Sequence, residues 1–291
     1  MSQPVSRWWT SSDGLRLHAR DYAGAEGAAK LPVIALHGLT RNSRDFENVA
    51  PYIAATGRRV LAADVRGRGL SDRDPQPMRY LPTTYAKDVL DLFDQAGITR
   101  AIFLGTSMGG LITMVIGVTR PKAIAGVILN DVGPQVAMAG LMRIAAYAGQ
   151  PGPAIDSWAD AADYARRTNA IAFPDRPQAF WDAFARRAFR EGADGKPVLD
   201  YDPDISAPIR AAGPKALTPN LWPYFNRLAK KAPTLLVRGA TSDVLDGEIA
   251  GKMRRKHRAM GYAEVPGIGH APMLDEPEAK AAILDFLGKL P

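Results

Sequence analysis

The chain predicts an α/β fold: a mostly parallel central sheet with helices on both faces and one helical insertion. Three observations carry that expectation. Short apolar runs rich in β-branched residues alternate with helical patterns from about residue 33 onward, the rhythm of a parallel sheet with crossover helices. The rhythm stops between residues 135 and 215 and resumes after them. At 291 residues the chain is long for one small domain but fits one α/β domain with an insertion.

The elements follow in order. Val5 to Thr10 and Leu15 to Tyr22 read as two strands joined by Ser11-Ser12-Asp13-Gly14, a hairpin turn signal. Val33 to Leu36, bounded by Pro32 and Gly38, suits a fully buried strand. Val60 to Ala63 is another. Thr84 to Ala96 places Tyr85, Val89, Leu92, Phe93 and Ala96 on one helical stripe and turns Lys87, Asp88, Asp91 and Asp94 outward. Ala101 to Leu104, Val127 to Leu129 and Thr234 to Val237 continue the strand series. A last helix is expected from about Pro277 to Leu287, with proline in its first turn. Residues 135–215 show helical patches such as Ile155 to Thr168 and Pro177 to Arg190 but no strand–helix alternation. They read as a cap over the carboxyl edge of the sheet, where open α/β sheets bind ligands. The core is then 1–134 with 216–291.

Composition narrows the function classes. A hydrophobic content of 46% and a charged content of 23% are ordinary for a globular protein. With no cysteine there is no disulfide, thiolate nucleophile or cysteine metal site. The polar N-terminus lacks the layout of a signal peptide. The longest weakly polar stretch, Ala101 to Val118, contains glycine turns and reads as a buried strand plus helix, not a membrane span. The cytoplasm is the default location. The net charge of +7 is spread over the flanks of the chain and is nil in residues 135–215, which hold ten basic and ten acidic side chains. The densest basic run, Lys252 to Arg258, reads as a solvated helix face near a C-terminus. No interleaved aromatics mark it for nucleic acid. The expected partner is a small-molecule substrate, with neither nucleic acid nor membrane; a homodimer is compatible with the chain.

The chemistry centres on Gly105-Thr106-Ser107-Met108-Gly109-Gly110, which follows an apolar strand and precedes the helical stretch Leu111 to Val118. G-x-S-x-G in that setting is a nucleophile elbow, a sharp turn that lifts the serine hydroxyl clear of the backbone. Ser107 needs a base. Of the four histidines, His18 lies in the hairpin, His257 in the basic run, and His37 at the end of a buried strand. His270 lies in Gly267-Ile268-Gly269-His270-Ala271-Pro272, a loop able to bring its ring over the sheet edge, and is the expected base. The histidine needs an acid to fix its tautomer. Asp243, just after the Thr234–Val237 strand, fits the order serine, acid, histidine; Asp131, at the end of Val127–Leu129, is the alternative. The oxyanion hole is assigned to the backbone N–H groups of Met108 and Leu39. His37 is read as structural. Candidate substrate-binding residues are Arg41, Phe46 and Trp181. The cap also offers Trp158, Phe173, Phe180 and Phe184, which favours an apolar acyl pocket. Arg41 has two readings: a grip on a substrate carboxylate, or an ion pair with Asp45 four residues on.

His37-Gly38, Asp64-Val65-Arg66-Gly67-Arg68-Gly69-Leu70-Ser71, the Gly105–Gly110 elbow, Gly239-x-x-Ser242-Asp243 and Gly269-His270 together resemble the motifs of the α/β-hydrolase superfamily. The resemblance covers the chain outside the insertion, which is similar to that family's helical cap. It implies a capped serine hydrolase acting on a carboxylic ester or lactone through an acyl-enzyme, without metal or cofactor. It also implies that Asp64–Ser71 shapes a loop near the site. Ser107 argues against the haloalkane dehalogenases and epoxide hydrolases, whose nucleophile is aspartate. Ser-Met-Gly-Gly is shared with cofactor-free perhydrolases and with C–C hydrolases of meta-cleavage products; Thr106 and Ala271 depart from the latter. A small-ligand receptor on the same fold is the alternative from outside enzymology.

Overall fold

The computed structural model describes residues 3–25, 30–150, 154–212 and 220–291. The expected end of the insertion at residue 215 lies outside them. The strands are β1 (Val5–Thr10), β2 (Arg16–Tyr22), β3 (Val33–Leu36), β4 (Val60–Asp64), β5 (Ala101–Thr106), β6 (Ile124–Asn130), β7 (Phe189–Glu191), β8 (Pro197–Leu199), β9 (Thr234–Gly239) and β10 (Gly261–Val265). Eight of them form one sheet in the order β1-β2-β4-β3-β5-β6-β9-β10. The first hairpin is antiparallel and β2 runs antiparallel to β4; every other pairing is parallel. Because β3 lies between β4 and β5, the chain leaves β3 to one side and later returns to the other. The carboxyl ends of β3 and β5 therefore flank a crevice at the point where the strand order reverses.

Two apolar cores sandwich the sheet. Alternation along β3 is enough to show why: Ile34 and Leu36 face one core, Val33 and Ala35 the other. The first core is closed by α2 (Pro82–Gln95), α3 (Met108–Thr119), α8 (Trp222–Lys231) and α9 (Gly247–Lys256). The second is closed by α1 (Val49–Ala54) and α10 (Pro277–Gly288) and continues into the insertion through α5 (Trp158–Asn169) and α6 (Gln178–Ala188). The insertion also contains α4 (Met138–Tyr147) and α7 (Ala207–Ala212). Among the described residues, no helix is long and apolar enough to cross a membrane.

Three features differ from the sequence reading. The insertion is not wholly helical: β7 and β8 pair in a small antiparallel hairpin outside the main sheet. An edge strand, β10, follows the basic run without an apolar signal of its own, since four of its five residues are only partly buried or exposed. Asp88, expected on the outer face of α2, is buried, because Arg66 reaches it across the loop after β4.

Candidate active site

Ser107 stands between β5 and α3 at φ 51° and ψ −113°. A non-glycine residue at positive φ in such a region is strained by roughly 1–3 kcal/mol. The two flanking glycines are required by close approach. A Cβ on Gly109 would lie 2.0 Å from the Leu36 carbonyl oxygen, and one on Gly105 would lie 2.5 Å from the Gly109 carbonyl carbon. The tight turn thus packs directly on β3. The Ser107 N–H donates to the Asn130 carbonyl at 3.0 Å, tying the elbow to the end of β6.

His270 is brought to Ser107 by the loop between β10 and α10, with Nε2 2.9 Å from Oγ. Its Nδ1 lies 2.7 Å from Oδ2 of Asp131. A carboxylate can only accept, so the Nδ1 proton points at Asp131 and the Nε2 lone pair faces the serine hydroxyl. Asp131 is fully buried at the end of β6, itself at φ 52°. Its carboxylate also accepts the Gly239 N–H at 2.9 Å and the Ser242 hydroxyl at 2.5 Å, while its own N–H donates to the Val237 carbonyl at 2.8 Å. A carboxylate with donors on both oxygens is held in one orientation.

The carboxylate against His270 is therefore Asp131, not Asp243, the acid that the sequence reading placed first. Asp243 is bound by Arg143 of α4, whose Nε and second nitrogen sit 2.6 and 2.8 Å from its oxygens. The Arg143 guanidinium holds the Asp243 carboxyl below the usual carboxylate range. The physical reason lies in the turn after β9. Ser242 points inward to Asp131 and, through its hydroxyl, accepts the Leu245 N–H at 3.0 Å; its neighbour Asp243 is then turned toward the insertion. The Asp243 and Val244 carbonyls accept from Gly140 and Ala137, so this turn seats the start of α4.

Leu39 and Met108 both border the space beside Ser107. A Cβ on the preceding Gly38 would lie 3.8 Å from the Ser107 Cβ, so the two loops run side by side. Among the described residues the backbone N–H groups of Leu39 and Met108 have no acceptor within the protein, while the Leu39 carbonyl accepts from Arg68 Nε at 3.0 Å. The Arg68 guanidinium also lies 3.5 Å from the Met108 sulfur. The Asp64–Ser71 loop thus braces both candidate oxyanion residues from behind. At its base, Asp64 accepts the Ser43 N–H and pairs with His18, each at 2.7 Å.

His37 is away from the chemistry. Its Nδ1 bonds the Gly38 carbonyl at 2.8 Å and its Nε2 accepts the Val65 N–H at 3.0 Å, so the ring is neutral and joins the β3 and β4 loops. Burial pushes its pKa down to about 4. The unfolded chain binds this proton near the usual value of about 6.5. Stability from the buried neutral ring is full above that value and is lost as the pH falls toward 4. Relative to a His37→Gln variant, wild type should lose about 3 kcal/mol of unfolding free energy between pH 7 and pH 4. Urea titrations of the two proteins at both pH values check this; parallel pH dependences would contradict it.

Two cavities meet at the serine. One, of about 110 Å³, is bounded by His270, Gly38, Arg41, Phe46, Phe173 and Phe184, among others. The other, of about 370 Å³, is bounded by Met108, Leu111, Val132, Leu141 and Ala145, among others. Leu39, Ser107 and Ile144 line both. Phe46 borders the smaller cavity. Arg41 does reach a cavity wall, but its Nε lies 2.8 Å from Asp45 and its guanidinium stacks 4.0 Å over the Phe184 ring. Trp181 does not line either cavity. It is buried among Phe173, Phe180 and Phe184, since it lies on the face of α6 turned into the second core. Asn130 was not singled out from sequence. Its side-chain amide donates to the Pro272 carbonyl at 2.9 Å and so fastens the His270 loop to β6. An asparagine ending an otherwise apolar strand is the signal that marks it.

The pattern of the alpha/beta hydrolase family matches residues 33–283. The chain belongs to this family. The hydrolase is 32% identical over 260 residues to a 3-hydroxybutyrate-oligomer hydrolase of Cupriavidus necator, covering 87% of each chain. It is 43% identical to an alpha/beta hydrolase of Novosphingobium aromaticivorans of known structure, with a TM-score of 0.91 and 99% of both chains covered. An esterase from a Rhodococcus species shares the fold at a TM-score of 0.72 and 21% identity, with 98% of this chain and 99% of that one covered.

Proposed function

We propose that this hydrolase cleaves carboxylic esters through an acyl-enzyme formed on Ser107. The hydrogen-bonded series Ser107–His270–Asp131, open to the space between sheet and insertion, is the observation that carries the reading. His270 Nε2 takes the hydroxyl proton as Oγ bonds to the ester carbonyl carbon. The carbonyl oxygen becomes an oxyanion facing the N–H groups of Leu39 and Met108. The intermediate collapses as the C–O bond to the alcohol breaks, and His270 returns the proton to the departing oxygen. Water, deprotonated by His270, then attacks the acyl carbon, and Ser107 leaves with the proton restored. Asp131 stays ionised and steadies the imidazolium. None of these steps draws on a metal or an organic cofactor.

The name of the Cupriavidus relative supports including linear 3-hydroxybutyrate oligomers, which are oligoesters, among the substrates tried. Arg41 is taken as scaffold here, because Asp45 already neutralises it. The test is to mix purified protein with an activated ester and follow alcohol release on the millisecond scale. One equivalent per Ser107 should appear as a burst, followed by slower turnover. Prior treatment with a fluorophosphonate should label Ser107 and remove both phases. Labelling without turnover of simple esters, lactones or 3-hydroxybutyrate oligomers would instead favour a receptor.

A further inference from the structure

The two cavities at Ser107 differ in one decisive respect: His270 stands on the wall of the smaller and not of the larger. We propose that the smaller cavity takes the leaving alcohol and the larger one the acyl chain, so that the preferred substrates join an extended apolar acid to a compact alcohol. The assignment rests on the acyl-enzyme reading. Acyl transfer to serine sorts the two halves of an ester by proton delivery, because the departing oxygen must lie within hydrogen-bond reach of the imidazolium. That places the alcohol beside His270. The acyl substituent leaves the carbonyl carbon on the other side, toward Met108 and Leu111.

Size agrees with this division. The alcohol side, about 110 Å³, carries Thr40, Thr168, Asn169 and the Arg41–Asp45 pair within a wall that is otherwise largely aromatic, with Phe46, Phe173 and Phe184 among its residues. The acyl side, about 370 Å³, presents Leu111, Val132, Leu141, Ala145 and Leu221. Its polar groups are already engaged: the Tyr80 hydroxyl donates to Asp202 at 2.6 Å, the Tyr85 hydroxyl accepts from Arg68 at 3.0 Å, and Arg210 pairs with Asp204. An aliphatic chain there meets no unpaired charge, and each methylene it buries is worth roughly fourfold in binding.

The experiment uses two ester series with the purified hydrolase. One holds the alcohol as ethyl and lengthens the acid from acetate to hexanoate; the other holds the acid as acetate and lengthens the alcohol from ethyl to hexyl. kcat/KM should rise at least about tenfold along the first series and stay flat or fall along the second. Leu141→Trp should lower the hexanoate-to-acetate ratio about tenfold and move the hexyl-to-ethyl ratio less than about twofold, with Ala145→Phe as the second variant should the first not fold. A rise with alcohol length instead, equal rises in both series, or none in either, overturns the assignment while leaving the acyl-enzyme reading standing. Absence of turnover for every ester, whether or not a fluorophosphonate labels Ser107, overturns both.

Discussion

Asp131→Asn should lower kcat for ester hydrolysis by roughly four orders of magnitude, as loss of the triad acid does in serine proteases. The cause is the tautomer. An asparagine amide facing Nδ1 can present its NH2 group, which stabilises the ring with its proton on Nε2, and that nitrogen then cannot accept from Ser107. The imidazolium formed during attack also loses the carboxylate 2.7 Å away. Asp243→Asn removes the pairing with Arg143 and loosens α4 over the site. It leaves Asp131 and its three donors in place, so turnover should fall by no more than about tenfold, chiefly through KM. Steady-state kinetics on one ester, with circular dichroism to verify folding, distinguishes the two. A folded Asp131→Asn enzyme with near-wild-type kcat beside an inactive Asp243→Asn enzyme would restore the assignment made from sequence.

That assignment shows where legibility ended. The elbow, the His270 loop and the strand series were readable because each is written in local chemistry: a glycine-flanked serine after an apolar run, a histidine in a loop of glycine and proline, short apolar runs of three or four residues. The chain order serine, acid, histidine did not choose the acid, since Asp131 and Asp243 both satisfy it. What decides is a contact between residues 111 positions apart, the Ser242 hydroxyl on Asp131, which turns Asp243 away. The cap aromatics failed similarly. Helical spacing places Trp181 and Phe184 on one α6 surface, but only packing against α5 and the sheet shows that Phe184 reaches the cavity and Trp181 does not. Strand β10 was hidden for another reason: an edge strand is partly solvated and needs no apolar run.

The outward position expected for Asp88 is the instructive error, because it leads to the largest stability effect. Arg66, 1% exposed, bonds Asp88 through Nε at 2.7 Å and Asp74 and Asp13 through its terminal nitrogens at 2.5 and 2.9 Å. This cluster ties the loop after β4 to α2 and to the β1–β2 turn. Arg66→Met keeps much of the volume but removes the guanidinium that pairs with Asp88, whereas Asp74 keeps Arg79 at 2.8 Å. Removing one partner of a buried pair costs about 3–5 kcal/mol, so urea unfolding at pH 8 should show a loss of that size. Burial already pushes the Asp88 carboxyl up to about 6 with Arg66 beside it, and the variant should raise it further. A carboxyl whose folded pKa exceeds its unfolded value of about 3.9 gains folded-state protonation as pH falls. The deficit of Arg66→Met should therefore shrink from pH 8 to pH 5, and Arg66→Met combined with Asp88→Leu should recover part of it at pH 8. A deficit that is flat with pH, or unchanged in the double variant, would mean that the guanidinium's lost packing, and not the orphaned Asp88 charge, sets the cost.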